Sequence, residues 1–136
     1  MKNQKRQMFL IKLPYWLGIG ADALWAVLLF FPSIYGNLMG ITDYNPDFQI
    51  KQIMGVGGVL MTGWTFLLLW AVKKPIERRF VIFLTAFPVV FGLILIVLRN
   101  ISVGNTLPVW ILVKTIILFI TMLTSYFLSG KKVVLG

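Results

Sequence analysis

Residues 80–98 read FVIFLTAFPVVFGLILIVL, and no residue in that stretch carries a charge. An α-helix rises about 1.5 Å per residue, so crossing ~30 Å of hydrocarbon takes about 20 residues. A run of this length and character reads as a membrane-crossing helix. Three further apolar runs lie around it, at roughly 13–40, 52–72 and 107–129. The chain has 136 residues, of which 59% are hydrophobic and only 12% charged, where a soluble domain carries about 25%. Inside lipid the backbone must satisfy its own hydrogen bonds, which continuous helices do, and the lack of regular polar/apolar alternation argues against a barrel. The expected fold is all-α: a polytopic membrane protein with a single domain over 1–136, an antiparallel four-transmembrane-helix bundle.

The net charge of +9 is placed asymmetrically. Lys2, Lys5, Arg6 and Lys12 precede or open the first run. Lys73, Lys74, Arg78 and Arg79 fill the link between runs two and three, and Lys131 and Lys132 follow run four. The opposite loops offer Lys51 and Arg99 beside Asp43 and Asp47. Cytoplasmic loops carry an excess of Lys and Arg, so both termini are expected in the cytoplasm. The same clusters suit contacts with lipid headgroups. Nucleic acid is not an expected partner, because no basic surface interleaved with aromatics lies outside the spans. The first run is too long for a signal peptide and leads into three more spans.

The chain contains no cysteine and no histidine. That excludes thiol redox chemistry, disulfides, haem ligation through histidine and ordinary zinc or copper sites. No catalytic residue, metal site or cofactor is expected.

Local signals mark the ends of the helices. Pro32 and Pro88 lie within runs one and three and predict kinks. Gly36 or Gly40 closes helix one. Asn45 is expected to cap helix two with Pro46 as its first residue. Pro75 is expected to stop helix two and enter the first turn of helix three, with Glu77 near that helix's positive end. Gly104 and Asn105 make the last turn, Thr106 or Leu107 caps, and Pro108 starts helix four, whose tail after Ser129 is expected to fray. Tyr15, Trp16, Trp70, Trp110 and Tyr126 fall where an interfacial aromatic belt belongs.

Each helix carries one smaller or more polar face, suited to close helix packing. On helix one it is Gly18, Asp22 and Trp25; on helix two, Gly55, Gly58, Thr62 and Thr65; on helix three, Thr85, Pro88 and Gly92; on helix four, Lys114, Thr121 and Ser125. Asp22 and Lys114 are ionisable residues well inside the spans, each costing about 2.5–3.5 kcal/mol at a helix centre. Counted from the ends of the runs, Asp22 lies about 14 Å and Lys114 about 22 Å from the inner boundary, an offset of roughly 8 Å. A lysine stem bridges much of that. The alternatives are a Lys114 that snorkels outward and an Asp22 that keeps its proton and bonds a threonine or a backbone carbonyl. Trp25 and Trp64 fall mid-span, where the belt explanation fails, and either fill core space or line a pocket. Candidate polar sites are therefore Asp22, Lys114, Thr62, Thr65, Thr121 and Ser125, with Trp25 and Trp64 as candidate pocket aromatics.

Residues 45–70, NPDFQIKQIMGVGGVLMTGWTFLLLW, followed by KKPIERR at 73–79 and two further spans, resemble the small DoxX-like four-helix membrane proteins and related uncharacterised families. The resemblance covers the whole chain in layout. It implies a bacterial or archaeal inner-membrane protein, in some members linked to quinol oxidases or thiosulfate metabolism, and assigns no role to Asp22 or Lys114.

With so few reactive side chains, the expected activity is non-catalytic: an accessory subunit or a bundle that binds lipid or a small molecule. The alternative is a small oligomeric transporter or channel that uses Asp22 and Lys114. The expected partners are the lipid bilayer and either further copies of the chain or a membrane complex.

Overall fold

The computed structural model describes residues 2–102 and 109–134. It is helical, with α1 at Lys2–Phe30, α2 at Pro32–Met39, α3 at Phe48–Ala71, α4 at Arg79–Leu84, a π-helical segment at Thr85–Val90, α5 at Phe91–Ser102 and α6 at Val109–Val134. Four helices are long and apolar enough to cross a membrane: Gln4–Phe30, Phe48–Ala71, Arg79–Ser102 and Val109–Gly130. The chain is therefore a membrane protein by the length and composition of its helices, built as an all-α bundle.

Run one is not one helix. Phe31 leaves the helical region at φ −120° and ψ 84°, and Pro32 opens the short helix α2, which ends at Gly40 with φ 73°. Proline disfavours helical geometry in the residue before it but suits a first helical turn, so the expected kink becomes a break. Pro88 acts differently. Around it the backbone widens to a π turn, closed by Phe91 N–H donating to the Ala86 carbonyl. The extra residue per turn absorbs the N–H that proline lacks, and the third span stays continuous.

Three expected boundaries move. Helix α3 is capped by Asp47, whose side chain accepts from Ile50 N–H at 2.8 Å, while Asn45 accepts from Lys51 Nζ. Pro75 lies in the 72–78 turn, not in the first turn of α4, which starts at Arg79. Glu77 there pairs with Lys74 at 2.9 Å. Helix α6 runs on to Val134, so its backbone does not fray at Ser129. The turn expected at Gly104–Pro108 lies outside the described residues.

Helix α1 is the centre of the packing. It lies against α3 and α6, and α6 also packs on α4 and the π segment. Tyr15, Ile19, Leu68, Ile82 and Met122 form the buried core between them. Two contacts gather the basic segments at one end. The Tyr15 hydroxyl donates to the Pro75 carbonyl at 3.2 Å, joining α1 to the 72–78 turn. Gly130 of α6 lies against the Arg79 guanidinium, close enough that a Cβ there would meet Nη1 at 2.7 Å. Tyr15 thus belongs to the core, being fully buried, whereas its neighbour Trp16 is 56% exposed as a belt residue would be.

Candidate functional site

Gly18 allows the bundle to close near its charged residue. A Cβ there would meet Met122 Cε at 3.0 Å and Leu68 Cδ1 at 3.1 Å, so α3 and α6 approach α1 one turn from Asp22. Asp22 is 8% exposed as a result. Its Oδ2 is buried with no hydrogen-bond partner among the described residues. The bond to a threonine or carbonyl that the sequence allows is not made by that oxygen. Burying a polar group without a partner is expensive, and a carboxylate more so.

Asp22 borders a cavity of about 340 Å³ between α1, α2, α3, the third span and α6. Trp25 and Leu29 of α1 continue its wall, with Tyr35 of α2 and Met61 of α3. Val90, Val97 and Asn100 close one side, and Lys114, Thr115 and Leu118 of α6 the other. Most of the lining is hydrocarbon. The exceptions are Asp22, Lys114, Tyr35, Asn100 and Thr115, and the Thr115 hydroxyl already donates to the Ile111 carbonyl of its own helix.

Asp22 and Lys114 share this cavity without forming an ion pair. Among the described residues, Lys74–Glu77 is the ion pair within 4.0 Å. The Lys114 ammonium lies instead 4.9 Å from the Trp25 ring centroid and 5.4 Å from that of Trp110. A cation over an indole face is attracted by the ring quadrupole. The vertical offset is also smaller than the run ends imply. Those ends put Leu13 level with Ser129, but Ser125 Oγ donates to the Ile11 carbonyl at 2.8 Å and Gly18 meets Met122. In that antiparallel register Asp22 falls level with the Lys114–Leu118 turn of α6. The lysine turns to the indoles although the carboxylate lies at its own level.

The other candidates divide into ties and wall. Trp25 lines the cavity and packs on Tyr35, with ring centroids 6.2 Å apart. Trp64 is not among the residues that line the cavity. Its indole donates to Thr85 Oγ1 at 3.0 Å, and Thr85 donates to the Val81 carbonyl, joining α3 to the third span. Thr62, Thr65 and Thr121 donate to the Gly58, Met61 and Leu118 carbonyls within their own helices. Ser125 alone of these hydroxyls bonds across, to α1. Tyr35, Asn100 and Thr115 are cavity residues that the sequence reading missed. For Tyr35 and Asn100 the signal was polarity near the ends of the runs, which equally marks a loop; for Thr115 it was a hydroxyl beside Lys114 in mid-span, which equally marks helix packing.

No family model matches the chain, and neither a curated protein nor a solved structure does.

Proposed function

We propose that the protein is a non-catalytic membrane bundle that holds a small amphiphile between its helices, its polar head on Asp22 and its apolar body against Leu29, Met61 and Val97. The observation that carries this reading is the Asp22 Oδ2, buried without a partner at the edge of an apolar cavity. Such an atom is stabilised by a ligand that donates a hydrogen bond to it. The volume limits the ligand. At ~30 Å³ per water, about 340 Å³ equals roughly eleven waters, which suits a small molecule and not a whole phospholipid. The gathering of the basic segments at one bundle end supports a cytoplasmic position for both termini, in an inner membrane as the DoxX-like layout implies.

Native mass spectrometry of the protein released from membranes tests the reading. The wild-type chain is expected to carry a non-covalent adduct lighter than a phospholipid, and Asp22→Leu to lose it. Bare protein in both spectra, or phospholipid adducts alone, overturns it.

Lys114 favours a second reading, transport by an oligomer. Two embedded charges of opposite sign that face one cavity without pairing resemble an ion path more than a structural bridge. Proton or ion flux in liposomes that Asp22→Asn abolishes would support it over passive binding.

A further inference from the structure

A larger groove of about 870 Å³ lies between α1 and α6, bordered by Trp16, Leu17, Gly20, Leu24, Trp110 and Ile117. Trp16, Leu17, Leu24, Trp110 and Ile117 are exposed on the outside of the bundle, at positions within two candidate spans. The groove and the Asp22 cavity share three residues, Ala21, Lys114 and Leu118, so these side chains are the wall between them. Lys114 is the long and mobile member of that wall. Its ammonium is held between Trp25, which faces the cavity, and Trp110, which faces the groove.

We propose that the groove is a lateral portal from the bilayer into the cavity, with Lys114 as its gate, and that the ligand is a neutral amphiphile that arrives dissolved in lipid. This rests on the reading of the cavity as a binding site. With its ammonium shared between two indoles, the lysine swings toward Trp110 without giving up all of its cation–π contact. That movement clears the wall beside Ala21. A neutral molecule suits the route, because the groove lining is uncharged apart from Lys114 and an ionised molecule would cross hydrocarbon at high cost. Gly20 forms part of the groove but not of the cavity, and a Cβ there would meet nothing within 4 Å. A bulky side chain at that position blocks the portal and leaves the site intact.

The test uses protein labelled with 5-fluorotryptophan in lipid nanodiscs, with 1-octanol as the probe and fluorine NMR as the readout. In the wild type the Trp25 resonance is expected to shift saturably, and its line shape gives the exchange rate. Gly20→Phe and Gly20→Leu are expected to keep the saturated shift and slow exchange at least threefold. Lys114→Ala is expected to speed it at least threefold. The Trp64 resonance, from a ring that lines neither space and is bonded to Thr85, reports that each variant is folded. Exchange within threefold of wild type in both Gly20 variants overturns the portal, and an unchanged rate in Lys114→Ala overturns the gate. A Trp25 resonance that does not saturate in the wild type overturns the binding site itself and is told apart by that.

Discussion

Lys114 holds its ammonium 4.9 Å from the ring centroid of Trp25 and forms no ion pair with Asp22. The arrangement separates two costs of putting charge in hydrocarbon. The cation is stabilised by aromatic faces on α1 and α6, and the carboxylate is left facing a cavity. A direct salt bridge would cancel both charges and leave the cavity only the neutral groups of Tyr35, Asn100 and Thr115 to recognise a polar head with.

The lysine–indole contact is measurable as a coupling energy. A double-mutant cycle over Lys114→Met and Trp25→Leu, read by unfolding in detergent, is expected to give about 0.5–2 kcal/mol. A coupling indistinguishable from zero would mean that the ammonium spends its time elsewhere.

Asp22 is expected to show a trade between stability and binding. Asp22→Leu removes an unpartnered buried oxygen and fills part of the cavity, so the empty protein is expected to gain about 1–3 kcal/mol. The same variant is expected to lose the small adduct. A loss of stability would make Asp22 a structural acid and would be seen directly in the unfolding midpoint.

The spans were legible because run length and charge placement depend on the chain alone. What the sequence hid depends on rotation and on neighbours. Tyr15 and Trp16 are adjacent and look alike as belt residues, but about 100° of helical rotation puts one in the core and the other on the surface. Asn45 and Asp47 are both good caps, and the choice between them is made by where α3 meets the loop. Asp22 was visible as an oddity from its neighbours. The cavity beside it was not, because empty space is set by how α1, α5 and α6 are spaced.

That adjacency yields a test. The Tyr15 hydroxyl is buried and donates to the Pro75 carbonyl at 3.2 Å, so Tyr15→Phe is expected to cost about 0.5–1.5 kcal/mol. Trp16→Phe, on the exposed face, is expected to cost less in the same unfolding assay. A reversed order would place the rings the other way round.

Because the chain has no cysteine, an introduced one is a unique topology reporter. Lys5→Cys and Lys74→Cys are expected to resist a membrane-impermeant maleimide in intact cells, while Asn45→Cys reacts. All three positions are exposed at the ends of the bundle. Reaction at Lys74→Cys with protection at Asn45→Cys would invert the orientation that the basic end implies.

Gly18 and Gly20 lie two residues apart on α1 and face different surroundings. Alanine at either gains about 1 kcal/mol of helix propensity, and that term cancels in a comparison of the two. What remains is space. At Gly18 the new methyl meets Met122 and Leu68 at 3.0–3.1 Å, and at Gly20 it meets nothing within 4 Å. Overpacking a closed interface costs about 1–3 kcal/mol. Gly20→Ala is therefore expected to be more stable than Gly18→Ala by about that amount in detergent unfolding. Equal midpoints would mean that α3 and α6 do not close on α1 at Gly18, and Asp22 would lose the packing that hides it from lipid.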